Sequence, residues 1–315
     1  MSVALPSKRG AIYGLVAASD IALPELSPSD AGAPTQIFIR EGALDWNDPD
    51  NPAAIDDYLR GGPGEIWMNI PEKLTMRVKD GHTIIYHPHP GVCEAELRAF
   101  LLGSGLGALL VQRGALVLHA NAVAMPDGSA LLCIGDSGAG KSTTAAAMML
   151  RGYDVLADDV CPIESDGMIH PGLARIKLWD DAAAKLGIVM KGLERLPGDR
   201  AKFNVPLPAL SSTAPRKPQL IVLLDSVRAD EVTVTSMTGA DKFVALRNNI
   251  YRPIFNRALE TEAQCLRRVA ELSATTELIR ISRPRDGFEI ETLIDTILEC
   301  HASLRLSGCG EEGIV

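Results

Sequence analysis

One glycine-rich segment constrains the fold of this 315-residue chain more than any other feature. Residues 135–142 read GDSGAGKS and lie between apolar residues 131–134, which predict a strand, and a run that predicts a helix from Lys141 to Leu150. The spacing G-x-x-x-x-G-K-[ST] between a strand and a helix is typical of a phosphate-binding loop. Its glycines let backbone N–H groups converge on an anion, and the helix N-terminus adds partial positive charge. The segment therefore predicts an α/β fold with a nucleotide site at the end of that strand.

The loop and the start of the helix supply the expected nucleotide contacts. We expect Lys141 to reach the β- and γ-phosphates of ATP, and the Ser142 hydroxyl to ligate Mg²⁺. ATP and Mg²⁺ are therefore the predicted cofactors. The residues expected to bind the nucleotide are Gly135, Asp136, Ser137, Gly138, Ala139, Gly140, Lys141, Ser142 and Thr143.

Two adjacent aspartates end the next apolar run, YDVLADDV. Neighbouring strand residues face opposite sides, so one carboxylate can hold Mg²⁺ while the other orients an acceptor hydroxyl and takes its proton. We assign Asp158 as the base, and Asp159 together with Ser142 as the metal ligands. The exchanged assignment stays open, as does a plain turn or cap role for the pair.

A histidine in the run LVLHANAV is expected near the same loop. The turn signal PDG separates this run from SALLCIG, which predicts an antiparallel pair and therefore a mixed sheet. His119 would then lie at the phosphate end, where an imidazole can support an aspartate or the transferred phosphoryl group. A histidine in an apolar strand is also a common core residue. The catalytic candidates are Asp158, His119 and Lys141.

Composition restricts the classes of partner. The formal net charge is -9 and the basic residues are scattered, which argues against a nucleic-acid surface. No apolar run approaches the roughly 20 residues that span a bilayer. The six cysteines contain no CxxC pair, which fits reduced thiols. We expect a cytoplasmic protein without membrane or nucleic-acid partners.

The pattern along the chain predicts two domains. Short β-prone runs broken by turn signals predict a small β-rich domain over residues 1–93. Residues 94–111 read as a connecting helix into a larger domain over residues 94–306, in which residues 241–260 also read as a helix. Residues 307–315 are expected to form a flexible tail.

The order of the motifs resembles a known family. The segments HANAV and GSALLCIGDSGAGKSTTAAAMMLRGYDVLADDV are similar to the catalytic domain of HPr kinase/phosphorylase. That resemblance implies the P-loop-containing mixed-sheet fold shared with phosphoenolpyruvate carboxykinase. It also implies that His119, the loop, Asp158 and Asp159 take the catalytic and Mg-ATP positions. The family's Glu-x-Arg-Gly-Leu-Gly stretch has no counterpart, because the region reads PGLARIKLWDDAAAKLG. This region, with a later DRAKF, instead resembles HPr-kinase-like proteins encoded with lasso-peptide and other ribosomal-peptide pathways.

Four basic residues are candidates for binding an acceptor or phosphate group. Arg175 and Lys177 alternate on one predicted strand face, while Arg200 and Lys202 lie in a turn-rich segment. Charge-assisted contacts from such residues can clamp a phosphate or a peptide carboxylate.

The residues and the resemblance together predict an ATP- and Mg²⁺-dependent serine kinase. Its expected acceptor is a Ser hydroxyl of a peptide or small protein, in particular the C-terminal Ser of a lasso-type precursor peptide. The alternatives are a non-catalytic nucleotide sensor, an HPr kinase and a small-molecule phosphotransferase. A homo-oligomer is left open. GTPase signalling is disfavoured, because the sequence contains no N/T-K-x-D guanine motif.

Overall fold

The N-terminal β-prone runs form one sheet in the computed structural model, which describes residues 8–196, 201–227, 231–284 and 290–308. The strand order is β1-β2-β3-β7-β6-β5-β4. Strand β3 runs parallel to β2 and to β7, and the other pairs are antiparallel. The strands are β1 (Arg9–Ile12), β2 (Leu15–Ser19), β3 (Ile37–Glu41), β4 (Leu59–Gly62), β5 (Glu65–Ile70), β6 (Leu74–Lys79) and β7 (Thr83–Pro88).

The predicted connecting helix is confirmed, and its glycines have a packing role. It consists of α1 (Glu94–Phe100), a π-helical turn (Leu101–Gly105) and α2 (Leu106–Gln112). A Cβ atom on Gly105 would lie 2.8 Å from Met76 Sδ, and one on Gly107 would lie 2.6 Å from the Tyr251 ring. The glycines therefore let the helix approach the N-terminal sheet on one side and the Tyr251 ring on the other.

The rest of the chain contains the elements that carry the glycine loop. The strands are β8 (Leu116–Leu118), β9 (Asn121–Ala124), β10 (Ser129–Ile134), β11 (Val155–Ala157), β12 (Cys161–Ile163), β13 (Arg175–Trp179), β14 (Glu194–Leu196), β15 (Lys202–Pro206), β16 (Lys217–Val227), β17 (Thr233–Ser236) and β18 (Glu277–Pro284). The helices are α3 (Lys141–Leu150), α4 (Asp180–Lys185), α5 (Gly239–Asn248), α6 (Ile254–Ala258), α7 (Glu262–Thr275) and α8 (Ile290–Gly308).

The predicted mixed sheet is confirmed. Its order is β11-β9-β10-β16-β18-β17, with β9 antiparallel to β10 and with β10, β16 and β18 parallel. Cys133 at the end of β10 lies opposite Asn121 at the start of β9, so the residues that precede β9 are close to the glycine loop. The run predicted as one strand around His119 is interrupted, because β8 leaves this sheet to pair with β12.

The run predicted as one helix over residues 241–260 is also interrupted, and this prediction was wrong. Helix α5 ends at Asn248 and α6 begins at Ile254. Between them the backbone pairs with the end of β8: His119 N–H donates to Asn249 O, and Tyr251 N–H donates to Val117 O, both at 2.8 Å. These tertiary hydrogen bonds take the place of helical ones. Pro253 also interrupts the helix, because it has no N–H to donate.

Both faces of the mixed sheet are covered by apolar packing. Alternate residues of β10 enter two clusters: Leu132 and Ile134 pack with the N-terminal sheet and the connecting helix, while Leu131 and Cys133 pack with α3 and α8. The N-terminal sheet thus shares its core with the sheet that carries the loop. The assignment of residues 1–93 as a separate domain stays a prediction.

The C-terminal boundary differs slightly from the expected one. Helix α8 continues to Gly308, and the remainder of the predicted tail lies outside the described residues. None of the helices in the described ranges combines the length and apolar character that a membrane crossing requires.

Candidate functional site

The glycine loop connects β10 to α3, and its backbone requires glycine where it is tightest. Gly135 has φ +140°, and a Cβ atom there would lie 2.4 Å from Leu224 O on β16. Gly140, which immediately precedes α3, has φ +105°. Both conformations lie in the region that L side chains rarely adopt. The loop is therefore set by close approach to β16 at one end and by the start of α3 at the other.

Lys141 lies across this loop. Its side chain is buried, and Nζ donates hydrogen bonds to the carbonyl oxygens of Gly135, at 2.7 Å, and Asp136, at 3.2 Å. Burial lowers the pKa of Lys141, against the charges of Asp159, Asp158 and Asp136. An anion in the loop would give this poorly solvated ammonium an ionic partner.

Asp158 is buried and is hydrogen-bonded to the start of α3. Its Oδ1 accepts from Ser142 Oγ at 2.8 Å, and its Oδ2 accepts from the backbone N–H of Lys177 at 2.8 Å. Burial, followed by the neighbouring charge of Asp159, raises the pKa of Asp158. The carboxylate and the Ser142 hydroxyl form a pair of oxygen atoms beside the loop that could ligate a cation.

Asp159 faces a different set of partners. Lys177 Nζ lies 2.8 Å from its Oδ2, and His119 Nδ1 lies 3.2 Å from its Oδ1. Burial by itself raises the pKa of Asp159, but the contacts with His119 and Lys177 reverse that effect and hold the pKa well below its usual range. The residue has φ +75°, a backbone conformation that non-glycine residues seldom adopt.

These contacts differ from the metal pair assigned from the sequence. The Ser142 hydroxyl contacts Asp158, whereas Asp159 contacts His119 and Lys177. The geometry therefore favours the exchanged assignment that the sequence left open, with Asp158 beside Ser142 as the metal ligand.

A cavity of about 650 Å³ lies next to the loop. Asp158, Asp159 and His119 line it, together with residues of β13, α4 and α8. Its basic lining residues are Lys141, Lys177, Lys185, Lys202 and Arg283, and its acidic ones are Asp158, Asp159 and Asp181. This excess of positive charge suits a polyanion such as a nucleoside triphosphate.

The four basic candidates do not all reach this cavity. Lys177 and Lys202 line it, and the Lys202 ammonium lies 5.1 Å from the centre of the Trp179 ring. Arg175 is 4% exposed, its Nε and Nη1 have no hydrogen-bond partner, and it is not among the lining residues. Arg200 lies outside the described residues.

Three further residues hold the loop, and sequence reasoning missed them. Gly135 N–H donates to Asn249 Oδ1 at 2.9 Å, Arg283 Nη2 donates to Ala139 O at 3.1 Å, and Asn121 Nδ2 donates to Lys141 O. Of these three, only Asn121 is close in sequence to a predicted site residue, since it lies two positions after His119. The other two partners are far from the loop in sequence, so no local pattern indicates them.

The donor set fits a magnesium nucleotide. Mg²⁺ prefers oxygen ligands and commonly takes one or two from the protein, with the others from phosphates and water. Ser142 and Asp158 provide such a pair beside the glycine loop. Among the described residues no group of three or more His, Cys, Asp or Glu side chains could hold a metal without such help.

Comparisons with known proteins add little to this geometry. Neither a protein-family model nor a curated protein sequence matches the chain. The solved structure of the HPr(Ser) kinase/phosphatase from Coxiella burnetii is similar over 61% of this chain and 93% of that one, with 15% sequence identity and a TM-score of 0.30.

Proposed function

We propose that this chain is an ATP- and Mg²⁺-dependent kinase that phosphorylates a Ser hydroxyl of a peptide or small protein. One observation carries the proposal: the glycine loop with Lys141, the Ser142–Asp158 pair and the Asp159–His119 pair all border one cavity. A nucleotide-binding site alone needs the loop, the lysine and a metal ligand. The second aspartate with its own histidine and lysine supports transfer to an acceptor.

Each group has a distinct role in this proposal. The loop N–H groups and Lys141 would bind the β- and γ-phosphates, and Ser142 with Asp158 would hold Mg²⁺, which would neutralise phosphate charge. Raised pKa and burial make Asp158 a carboxyl that gains from a nearby cation. Asp136, Ser137, Gly138 and Thr143 are proposed to complete the nucleotide contacts through the loop and the first turn of α3.

Asp159 is proposed to receive the acceptor hydroxyl. Its lowered pKa keeps it ionised, so it accepts the O–H hydrogen bond, directs the oxygen towards the γ-phosphorus and takes the proton as the new P–O bond forms and the bond to the ADP oxygen breaks. A weak base suffices, because positioning dominates catalysis of phosphoryl transfer. His119 and Lys177 hold this carboxylate from two sides.

The finer parts of the proposal come from the resemblance. We include the C-terminal Ser of a lasso-type precursor peptide as acceptor, a cytoplasmic location, and the HPr kinase and phosphoenolpyruvate carboxykinase type of fold. The antiparallel strand beside the loop-bearing strand supports that fold type. The separate domain over residues 1–93 is part of the same proposal.

An acceptor panel tests the function. Purified protein with Mg-ATP is offered HPr, free serine and a Ser-terminated precursor peptide, and mass spectrometry measures an added phosphate. We expect modification of the peptide. Modification of HPr alone or serine alone would indicate the HPr kinase or the small-molecule phosphotransferase. Nucleotide binding with no acceptor modified would favour the sensor.

A further inference from the structure

A second recess adjoins the Asp159–His119 pair. It has a volume of about 400 Å³ and is formed by His119, Asp159, residues 135–137 of the loop and residues 248–252. Asp159 and His119 line both this recess and the larger cavity. A group in the recess would therefore meet the carboxylate that the proposed function assigns to the acceptor hydroxyl.

The segment between α5 and α6 forms one wall of this recess. Two backbone hydrogen bonds hold it, from His119 N–H to Asn249 O and from Tyr251 N–H to Val117 O. The side chain of Asn249 also accepts, at Oδ1, from Gly135 N–H. Asn249 Nδ2 in turn donates to Ala245 O at 2.8 Å. The wall is thus attached directly to the glycine loop, so recess and loop keep a fixed relation to each other.

Arg252 is the one arginine or lysine among the described residues that line the recess. It is exposed and has φ +42°, a backbone conformation that non-glycine residues seldom adopt. Its Nε donates to Tyr251 Oη at 3.3 Å, and its guanidinium carbon lies 5.7 Å from the centre of the Tyr251 ring. Among the described residues, no carboxylate forms an ion pair with it within 4.0 Å.

Tyr251 makes a rigid support for that guanidinium. The ring is 7% exposed and packs against Gly107 of α2, where a Cβ atom would lie 2.6 Å from it. An arginine that rests on a fixed ring loses less side-chain entropy when it binds an anion, and its fork-shaped donor group matches a carboxylate.

We propose that this recess binds the acceptor and that Arg252 recognises a carboxylate close to the acceptor hydroxyl, an inference that rests on the proposed kinase function. The recess also carries Asp136 and Asp159, and the proposed function places the γ-phosphate in the adjoining cavity. An anionic acceptor would be repelled by all three without a local cation. Lys177 is paired with Asp159, and Lys202 lines only the larger cavity, which leaves Arg252 for this role.

The experiment uses a matched pair of peptides. A short alanine–glycine peptide that ends in serine is prepared as the free acid and as the amide. Calorimetry measures its binding to the full chain loaded with Mg²⁺ and β,γ-imido-ATP, which cannot transfer its phosphate. We expect the free acid to bind at least tenfold more tightly than the amide. Arg252→Gln should abolish this preference, while Arg257→Gln, an exposed arginine of α6 outside the recess, should retain it.

Nucleotide affinity is measured in the same samples and separates the two hypotheses. Arg252→Gln should bind Mg²⁺ and β,γ-imido-ATP as the unmodified chain does. Equal binding of the two peptides, a preference retained in Arg252→Gln, or no peptide binding to the loaded protein would overturn the acceptor inference alone. A chain that binds no nucleotide would instead contradict the kinase proposal on which the inference rests.

Discussion

Ser142 Oγ donates a hydrogen bond of 2.8 Å to Asp158 Oδ1, which joins the first turn of α3 to the end of β11. The adjacent carboxylate of Asp159 points instead to His119 and Lys177. The two neighbouring aspartates therefore have different surroundings. Asp158 lies beside the first turn of α3, which follows the glycine loop, and Asp159 lies beside His119. This difference separates metal binding from acceptor activation in our account.

Substitution of each aspartate should separate the two roles. Asp159→Asn should retain Mg-ATP binding and lower phosphoryl transfer by about 10² to 10⁴, because it removes the group that receives the proton. Asp158→Asn should weaken the dependence of nucleotide affinity on Mg²⁺. Calorimetry with and without Mg²⁺, beside a radiolabel-transfer assay, measures both effects. The reverse pattern would restore the assignment made from the sequence.

Asp158→Asn, compared with the unmodified chain in the absence of Mg²⁺, should be more favourable to stability at pH 7 than at pH 4. Burial raises the pKa of Asp158 in the folded state above the value of about 3.9 in the unfolded chain. The ionised carboxylate therefore opposes folding, an effect absent below the unfolded pKa and complete above the folded one. Each kcal/mol of relief should raise Tm by roughly 2–4 °C. Thermal unfolding at pH 7 and pH 4 tests this, and a Tm difference that is no more favourable to the variant at pH 7 than at pH 4 would contradict it.

Gly135→Ala should disrupt the nucleotide site. The new Cβ would lie 2.4 Å from Leu224 O, a clash with backbone that only a shift of the loop relieves. We expect ATP affinity to fall by tenfold or more. Gly187→Ala is the matched control, since Gly187 also has positive φ, at +69°, but open space around its Cβ position. Equal ATP affinity in the two variants would show that the shape of the loop is unimportant for binding.

Tyr13→Phe tests whether the N-terminal sheet supports the aspartate pair. Tyr13 is 2% exposed, and its hydroxyl donates to Val160 O, next to Asp159, at 2.6 Å. Loss of this buried hydrogen bond should cost about 1–3 kcal/mol of stability and slow transfer, with nucleotide affinity retained. Urea unfolding and the transfer assay measure the two effects. Tyr58→Phe, at a side chain that is 57% exposed, should change neither.

Local sequence patterns predicted much of the central architecture. The glycine loop, the hairpin before it and the connecting helix each depend on residues within a few positions of one another, which is where turn and periodicity rules apply. His119 and Asp159 are expected near the loop for the same reason, since His119 lies just before the first hairpin strand and Asp159 follows the end of the next strand.

The remaining features depend on contacts that are distant in sequence. Asn249 reaches Gly135 across 114 residues, and Lys177 pairs with Asp159 through the short sheet of β13 and β15. The break between α5 and α6 is decided by pairing with β8, because tertiary hydrogen bonds outweigh the helix propensity of residues 241–260. Pro253 is a local signal for the break, but no period or motif in the chain encodes the contacts of Asn249 with Gly135 or of Lys177 with Asp159.

Calorimetric titration of Mg-ATP into the unmodified chain and into Lys141→Ala tests the central claim most directly. Lys141 is buried and its Nζ donates to the carbonyl oxygens of Gly135 and Asp136, so circular dichroism and Tm of the variant are measured beside the titration to separate a loss of fold from a loss of binding. We predict that the unmodified chain binds Mg-ATP and that the variant binds it at least tenfold more weakly, because the phosphates lose their cation. Equal affinity in the two proteins, or no binding by the unmodified chain, would contradict the account.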